Sequence, residues 1–511
     1  MSSEILINVR PIETRVAFVE NSHLMDLMIE RTRHKGLVGS IYRGEVVRVL
    51  PGMQAAFVNI GLDRAAFLYV GDVRKDVGLD EELLFDDNEE QRNGEKSSSR
   101  EDADHRVPIQ DLLKEGQTLL VQVAKDPLGT KGARITTHIS LPGRHVVYMP
   151  TLNHVGVSRK IEEEAERDRL KAIVEKLRPA KGGFIVRTAG EGASEDSIKA
   201  DIDYLVLVSK EIFHNYEERK TPGLIHAELD VELRAVRDLF NEDVTQVVVD
   251  NQKVFKKVHK FVSQFMPQLK DKIVFYDKQK SLFDQYDIDL EVSRALERKV
   301  WLKSGGYIVI DEAEALVVID VNTGRFVGKK DLEDTILKTN LEAVREIAHQ
   351  ARIRNTGGII IIDFIDMERD VNKEKVLEQL KEELAKDRAR TNVLGMSALG
   401  LVEMTRKRIR PSLVKTLCEP CSYCEGKGFT KHKQTVANEI FRELEREGSF
   451  AGSSVVHCHA DVADWIYAEG NEMLEHLEAR LGRRVVFKVE SDFHIEQYEL
   501  YTTGGGVTPS P

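Results

Sequence analysis

The chain has 511 residues and a net charge of −12, from 74 lysines and arginines against 86 aspartates and glutamates. Hydrophobic residues make up 41% of it, which excludes wholesale disorder, and about 150 residues per domain predicts three or four domains. No apolar run reaches the roughly 18 residues of a membrane span, and the N-terminus lacks the apolar core of a signal peptide. We therefore expect a soluble, cytoplasmic protein whose acidity argues against general polyanion binding.

Short strands separated by turns dominate the first 140 residues. Residues 1–38 have a mixed α/β pattern, in which we expect a short helix at Leu24–Arg31. A polar, serine-rich stretch at 80–106 is typical of a mobile insertion loop. Alternating apolar residues predict five strands, which are Ser40–Leu50, Ala55–Ile60, Ala65–Val70, Thr118–Lys125 and Ala133–Ser140. Five short strands with one long connection predict a small barrel of the OB type.

Helices and strands alternate through the rest of the chain, which predicts a multidomain α/β protein. From Trp301 the pattern is strand, strand, long helix, strand, helix. The pieces are Tyr307–Asp311, Ala315–Val321, Leu332–Arg352, Gly358–Phe364 and Asn372–Asp387. The continuous apolar run Ile359–Ile362 predicts a strand that is buried on both faces.

Two apolar strands of this α/β unit each end in an aspartate. Asp320 ends the first, with Asn322 on the same side, and Asp363 ends the next, with Asp366 just beyond it. Such strand ends meet at the sheet edge where α/β folds place their sites. Two carboxylates and an amide oxygen suit Mg²⁺, which can activate water at a phosphodiester. A single strand-end aspartate more often caps a loop, but the pair favours a metal site with Asp320 and Asp363 as catalytic residues.

Three cysteines, Cys418, Cys421 and Cys424, lie within seven residues in a chain that has only four. Such crowding does not make a disulfide framework, whereas a CxxC pair followed by glycines is typical of a zinc site. Structural zinc takes four ligands, and a twofold-related second chain could supply the two that one CxxC pair lacks. Chance clustering of inert thiols is another interpretation. The competing geometry is a site within one chain that adds Cys418, or Cys458 with His457 and His459.

Aromatic residues of the barrel are candidates for base stacking. Phe57 and Phe67 occupy corresponding points of adjacent strands. Exposed aromatics on a barrel face stack unpaired bases, although composition alone favours two core residues. Lys131, in the turn 129–132, would add a phosphate contact, but exposed lysines are common.

Two further sets of basic residues could bind phosphate. Arg187 and Thr188 follow a short strand, and an arginine beside a hydroxyl can clamp a terminal phosphate. By spacing alone, a surface strand end is the commoner interpretation. Arg406 and Arg408 belong to a basic stretch, which is most often a solvated face but could hold RNA backbone near a phosphodiester site.

Four long blocks resemble the ribonuclease E/G family. The blocks are IYRGEVVRVLPGMQAAFVNIG, SGGYIVIDEAEALVVIDVNTG, GGIIIIDFIDM and LGLVEMTRKR. The first block, together with KDPLGTKGARIT, is most similar to the ribonuclease G branch of the family. The resemblance runs from the N-terminus to about residue 430 and more loosely to the end.

The resemblance implies a domain order in which an S1 domain is inserted into a ribonuclease H-like region. The implied regions are the ribonuclease H-like region at 1–38 and 233–295, the S1 domain at 39–140, a 5′-sensor region at 141–232, a deoxyribonuclease I-like catalytic region at 296–417, a zinc link at 418–430 and a small C-terminal domain at 431–511.

The resemblance also implies an activity and the residues that carry it. The family cleaves single-stranded, often AU-rich RNA endonucleolytically with Mg²⁺ and prefers a 5′-monophosphate. The ribonuclease G branch is associated with 5′-end maturation of 16S ribosomal RNA and with mRNA decay. The assignments implied are catalytic Mg²⁺ at Asp320 and Asp363, base stacking by Phe57 and Phe67, an RNA contact by Lys131, 5′-phosphate sensing by Arg187 and Thr188, and zinc shared between subunits at Cys421 and Cys424.

Some features depart from the family pattern. Ser422 stands where the zinc link commonly has proline, and the insertion at 80–106 is longer than expected. The long scaffold of ribonuclease E is missing, so we expect no degradosome scaffolding by this chain. The zinc site shared between subunits implies a homodimer at least. The alternative function is a non-catalytic RNA-binding protein, against which both aspartates and Asn322 argue.

Overall fold

A computed structural model describes residues 2–32, 35–73, 107–127, 132–158, 160–161, 163–324, 332–397, 399–408, 410–448 and 452–503 of the chain. Lys131 and the stretch 80–106, with the predictions made for them, lie outside the described residues. The chain forms two units, Met1–Leu413 and Val414–Pro511.

The first unit begins with a three-stranded meander of β1 (Ser3–Val9), β2 (Glu13–Glu20) and β3 (His23–Arg31). The prediction of a helix at Leu24–Arg31 is therefore wrong. β3 pairs antiparallel with β2 along its whole length, from Glu13 opposite Arg31 to Glu20 opposite His23. Strand pairing of this kind outweighs local propensity, because the packing of a strand against its neighbours determines its stability.

The predicted five-stranded barrel is confirmed. Its elements are β4 (Ile41–Leu50), β5 (Ala55–Asn59), β6 (Ala66–Tyr69), α1 (Ile109–Leu112), β7 (Thr118–Lys125) and β8 (Arg134–Thr136). The strands pair in the order β4–β5–β6–β8–β7, and β7 pairs back with β4 to close the barrel. Buried small and branched side chains, such as Val58, Ala66 and Leu68, fill the interior.

A second α/β layer follows the barrel. It consists of β9 (Leu141–Pro142), β10 (Val146–Met149), β11 (Val155–Val157), α2 (Glu164–Leu177), β12 (Gly183–Val186), α3 (Glu195–Glu218) and β13 (Gly223–His226). Four of these strands form a sheet in the order β11–β12–β10–β9, whereas β13 pairs with β4 of the barrel.

The chain then returns to the sheet with which it began. The elements are α4 (Val231–Leu239), β14 (Val244–Val249), α5 (Gln252–Phe265), β15 (Ile273–Phe275), α6 (Leu282–Gln285) and α7 (Ile288–Leu296). β14 lies parallel to β1, which gives a five-stranded sheet in the order β15–β14–β1–β2–β3. This one sheet therefore joins residues that precede the barrel to residues that follow it.

A six-stranded sheet carries the two strand-end aspartates. Its region contains β16 (Lys299–Trp301), β17 (Tyr307–Glu312), β18 (Leu316–Asn322), α8 (Leu332–Ile353), β19 (Gly358–Asp363), α9 (Asp370–Ala385), β20 (Thr391–Met396) and β21 (Leu401–Arg406). The strand order is β16–β17–β18–β19–β21–β20, and β18 and β19 are parallel.

Only one face of the six-stranded sheet is covered by its helices. Ile319, Ile360 and Ile362 pack against apolar residues of α8 and α9. On the opposite face, hereafter the open face, Val318 is 38% exposed and Ile359 is 43% exposed. The prediction that Ile359–Ile362 is buried on both faces is therefore wrong.

The second unit is a small α/β domain. The last elements of the chain are α10 (Leu413–Leu417), α11 (Lys433–Glu447), β22 (Ser453–Cys458), α12 (Ala460–Ala468), α13 (Asn471–Leu481), β23 (Val485–Val489) and β24 (Tyr498–Thr503). The strands pair in the order β23–β22–β24 over a core to which α11, α12 and α13 contribute. Within the described ranges, no helix has the length and apolar character needed to cross a membrane.

Candidate functional site

The two strand-end aspartates lie side by side on the open face. Asp320 of β18 is directly opposite Asp363 of β19 in the parallel pair, and both side chains are exposed. Asn322 lies on the same face, where its Nδ2 donates a hydrogen bond of 2.8 Å to Oδ2 of Asp320. Because the intervening Val321 is buried, strand alternation fixes this arrangement.

The negative charges of this group affect one another. Partial desolvation of its carboxylate is the main cause that raises the pKa of Asp363, and repulsion from the charges of Asp320 and Asp366 raises it further. A bound cation would relieve that repulsion, because an opposite charge favours the ionised carboxylate.

The donor set fits a magnesium ion better than a metal held entirely by protein. Throughout the part of the chain that the structure describes, no three acidic, histidine or cysteine side chains converge as metal ligands. Mg²⁺ usually takes one or two carboxylates and completes its shell with water and substrate phosphate. Asp320, Asp363 and the amide oxygen of Asn322 match that requirement.

Buried polar residues that the sequence analysis missed hold the loop after Asp363. Asn340 of α8 is fully buried; its Nδ2 donates to the carbonyl of Ile365 at 2.8 Å, and its Oδ1 accepts from the Ile365 N–H at 3.1 Å. Glu333 accepts from the backbone N–H of Arg369 and from Nδ2 of Asn372. The signal available in the sequence was a polar residue on the apolar face of a helix.

The barrel aromatics lie outside its core. Phe57 and Phe67 are half-buried and form an edge-to-face pair with ring centroids 5.6 Å apart. Phe67 also contacts Tyr69, and their ring centroids are 4.4 Å apart. Tyr69 is 40% exposed, and the Arg134 guanidinium lies 5.1 Å from the centroid of its ring. The sequence analysis missed Tyr69 and Arg134. Together these four residues form a partly exposed aromatic and cationic surface on the barrel.

Arg187 and Thr188 lie at the end of β12 in a defined polar setting. Nη1 of Arg187 donates to the Gly143 carbonyl at 2.6 Å and to Oδ1 of Asp238 at 2.8 Å. The hydroxyls of Thr188 and Ser158 are 3.1 Å apart. The arginine side chain keeps 29% of its surface exposed, so part of its guanidinium remains accessible.

Two acidic residues that the sequence analysis missed support this arginine. Burial alone would raise the pKa of Asp238, but the charges of Arg237 and Arg187 outweigh it and lower that pKa. Asp201, which is buried, accepts from the backbone N–H groups of His145 at 2.8 Å and Val146 at 3.1 Å. It thereby fixes the turn whose carbonyl holds Arg187.

The structure corrects the assignment of Arg406 as an RNA contact. Its side chain is only 4% exposed; Nε donates to Asp387 at 2.7 Å, and Nη1 donates to the Thr356 carbonyl at 2.6 Å. This arginine is a buried structural residue because it lies on the helix-covered face of β21. Arg408, two residues later, is exposed and donates to the Gly357 carbonyl at 2.9 Å.

The cysteine cluster lies at the surface of the second unit. Cys418 and Cys421 are exposed, and Cys424 is half-buried. Hydrogen bonds from the backbones of Cys424 and Tyr423, and from the Cys424 side chain, lower the pKa of Cys421. A lowered thiol pKa favours the thiolate, which is the form that binds metal.

Cys458 is unsuited to a zinc site. It is fully buried in β22, and burial raises the pKa of its thiol to about 11. The neighbouring histidines have other partners: Nδ1 of His457 lies 2.6 Å from Glu490, and Nδ1 of His459 accepts from the Asp461 N–H. The alternative site built on Cys458 therefore lacks support.

The chain is similar to known proteins along nearly its whole length. Residues 140–409 match the family model described as "Ribonuclease E/G family", and residues 420–503 match "RNase E/G, Thioredoxin-like domain". The chain is 44% identical over 500 residues to "Ribonuclease G" of Haemophilus influenzae, covering 97% of this chain and 99% of that protein.

Two further relatives are also similar to nearly the whole of this chain. "Ribonuclease G" of Escherichia coli K12 is 43% identical over 503 residues, covering 98% of this chain and 99% of that protein. "Ribonuclease E" of the same strain is 36% identical over 505 residues, covering 98% of this chain but only 46% of that protein. The chain therefore belongs to the ribonuclease E/G family.

Proposed function

We propose that this chain is an endoribonuclease that hydrolyses single-stranded RNA with Mg²⁺. The observation that carries the proposal is the pairing of Asp320 with Asp363 on an exposed sheet face, with Asn322 hydrogen-bonded to Asp320. The names of its relatives support the same activity.

The residues of the chain have distinct tasks in this mechanism. Asp320, Asp363 and Asn322 would hold Mg²⁺, which supplies activation of water and offsets the charge of the phosphodiester. Asn340 positions Asp363 by fixing the loop that follows it. Because the carboxylates are exposed, an extended RNA strand can reach them without any opening of the sheet.

One assay separates this enzyme from a non-catalytic RNA-binding protein. A single-stranded RNA oligonucleotide should be cut internally with Mg²⁺ present and remain intact when EDTA removes the metal. Binding in a gel shift without cleavage at any Mg²⁺ concentration would contradict the proposal and favour the binding protein.

We further propose that the barrel is an S1-type RNA-binding domain. Phe57 and Phe67, with Tyr69 beside them, offer ring surface for stacking. Stacking needs unpaired bases and tolerates any base, which favours single-stranded and easily melted AU-rich substrates. Lys131 and Arg408 would contact RNA backbone. Precursor 16S ribosomal RNA and mRNA are the proposed natural substrates of this cytoplasmic enzyme, and the ribonuclease H-like and deoxyribonuclease I-like assignments belong to the same proposal.

The proposal also includes a preference for a 5′-monophosphate, bound by Arg187 and Thr188. The Gly143 carbonyl and Asp238 hold one nitrogen of the guanidinium, which orients the group without using all of its donors. The exposed hydroxyl of Thr188 lies at the same strand end. A compact dianion suits such a clamp, whereas a 5′-hydroxyl has no charge to bind.

Arg187→Leu should slow cleavage of a 5′-monophosphorylated oligonucleotide about tenfold, which corresponds to one lost charged hydrogen bond. Cleavage of the same oligonucleotide with a 5′-hydroxyl should hardly change, as measured by single-turnover kinetics on both substrates. Arg178→Leu, which removes another arginine of this region that pairs with Glu175, is the control. Equal slowing on both substrates would contradict a sensing role.

Structural zinc is proposed at Cys421 and Cys424. One chain offers this pair of thiols on its surface, and the lowered pKa of Cys421 suits a ligand. Tetrahedral zinc takes four ligands, so two chains would share one ion and form a dimer.

Replacing Cys421 and Cys424 together by serine should remove bound zinc and convert the dimer to a monomer. The wild-type protein should contain about one zinc per two chains, since four thiolates complete the tetrahedron. Elemental analysis and light scattering measure the two quantities, with Cys418→Ser as the matched control. One zinc per chain in a stable monomer would contradict the shared site.

A further inference from the structure

An aromatic pair with a lysine between its rings stands at the edge of the open face. Trp301 of β16 is 63% exposed and contacts Tyr307 of β17 edge to face, with ring centroids 5.4 Å apart. Nζ of Lys299 lies 4.0 Å from the Trp301 ring and 3.5 Å from the Tyr307 ring. We call these three residues the aromatic platform.

Strand register places the aromatic platform beside the paired aspartates. Trp301 is opposite Tyr307, and Tyr307 is opposite Asn322. Lys299 is opposite Val309, which is opposite Asp320. Neighbouring strands are about 4.8 Å apart. Tyr307 is therefore about 5 Å from Asn322 across the same face, and Trp301, one strand further, is about 10 Å from it.

The composition of the aromatic platform suits single-stranded RNA. An exposed tryptophan offers the largest stacking surface of any side chain, and base stacking on aromatic rings is tolerant of sequence. The lysine adds a positive charge where the neighbouring phosphate of a stacked nucleotide would lie. Strand register places Lys299 two strands from Asp320, so its positive charge partly offsets the negative charge of the two aspartates where an RNA phosphate would approach.

We propose that Trp301 and Tyr307 form a nucleobase-stacking subsite that binds a base next to the scissile phosphate, with Lys299 contacting the adjoining phosphate. This inference rests on the proposed ribonuclease function and deepens it. The subsite is separate from the stacking surface of the barrel, because it belongs to the sheet that carries Asp320 and Asp363. The subsite would fix the position of the RNA relative to the metal and thus select which phosphodiester bond is cut.

Tryptophan fluorescence provides a test that does not depend on cleavage. The chain has two tryptophans, and Trp465 is 8% exposed in the second unit. In a variant carrying Trp465→Phe and Asp320→Asn, Trp301 is the sole reporter and the RNA stays intact. Titration with a single-stranded decanucleotide should quench its emission to saturation. A variant carrying Trp301→Phe and Asp320→Asn, which keeps Trp465, should show no comparable quenching. Unchanged Trp301 emission at RNA concentrations that saturate a gel shift would overturn the proposal.

A double-mutant cycle between protein and RNA locates the base. Trp301→Ala should reduce single-turnover cleavage at subsaturating enzyme by roughly 5- to 150-fold, the range of one lost base–aromatic stack. An abasic nucleotide at one position near the cleaved bond should cause the same loss in the wild type and little further loss in Trp301→Ala. Tyr467→Ala, which removes an exposed aromatic residue of the second unit, is the control and should leave the abasic profile unchanged.

The outcomes distinguish the subsite from its alternatives. If the two losses add at every abasic position, Trp301 does not stack on a base near the cleaved bond and the proposal is overturned. A changed mass in light scattering for Trp301→Ala, with an unchanged abasic profile, would assign the open face to contact between copies of the chain and would also overturn it. If RNA quenches Trp301 emission but the wild-type protein cleaves no RNA, the stacking of a base on Trp301 is supported and the proposed ribonuclease activity is contradicted.

Discussion

Replacing Asp363 by asparagine should nearly abolish cleavage while leaving the affinity for RNA unchanged or slightly higher. The substitution removes one of the two carboxylates that face each other across β18 and β19. Metal ions contribute several kcal/mol to phosphoryl transfer, so kcat should fall by about 10³-fold. The RNA-stacking residues are unaffected, and one negative charge near the phosphate is lost. Single-turnover cleavage and gel-shift affinity measure the two effects.

The same experiment should be repeated with Asp320→Asn, for which we expect the same result and partial rescue by excess Mg²⁺ or by Mn²⁺. Direct titration of Mn²⁺ followed by electron paramagnetic resonance should show weakened metal binding in both variants. Asp370→Asn is the matched control, because Asp370 is 86% exposed at the start of α9 and its loss changes the net charge equally. A well-folded variant of Asp320 or Asp363 with near-normal cleavage would remove that residue from the metal site.

Arg406→Ala should destabilise the first unit by about 3–5 kcal/mol, which is the cost of breaking a buried ion pair. The variant leaves the Asp387 carboxylate, which is also 4% exposed, without its guanidinium partner. The Thr356 carbonyl loses a donor as well. Thermal unfolding and limited proteolysis should therefore show an earlier transition of the unit that contains β21.

Arg408→Ala is the natural control for this variant. Its exposed side chain predicts a stability change within about 0.5 kcal/mol, together with weaker RNA binding if it contacts backbone phosphate. A stable Arg406→Ala protein that had lost RNA affinity would show that the buried ion pair is not its principal role.

The sequence was most informative where a short pattern is tied to a single structure. Four barrel strands were predicted to within one residue at each end, because alternating apolar residues and Pro51-Gly52 constrain pairing locally. The fifth, predicted as Ala133–Ser140, extends only over Arg134–Thr136. Asp320 and Asp363 were predicted to meet, because strand ends in a parallel pair must lie at one edge. The segment Leu24–Arg31 was wrongly predicted as a helix, because its pairing with β2 depends on the neighbouring strand and not on its own sequence pattern.

The sequence did not predict which individual polar and charged side chains are buried. Arg406 and Arg408 look equivalent in a basic stretch, and strand alternation alone would place them on the same face. Arg406 is buried as the last residue of β21, whereas Arg408 lies beyond the end of the strand and is exposed, and the sequence pattern does not show where the strand ends. The supporting residues Asp238 and Asn340 are polar residues within helices, and their partners lie far away along the chain. Trp301 gave no motif at all, and only strand register brought it next to Asn322.

The insertion of the barrel between the two halves of one sheet has a consequence for folding during synthesis. The N–H of Val9 at the end of β1 bonds to the Asp250 carboxylate after β14, 241 residues further along the chain. At the ribosomal rate of about 5–20 residues per second, β1 waits roughly 12 to 48 seconds for this partner. The barrel strands β4 to β8 emerge within that interval, and β13 is the one strand from beyond residue 140 with which they pair in the described part of the chain. We therefore expect the barrel to fold first on the nascent chain, while the meander β1–β3 exposes an unpaired edge that invites chaperone binding.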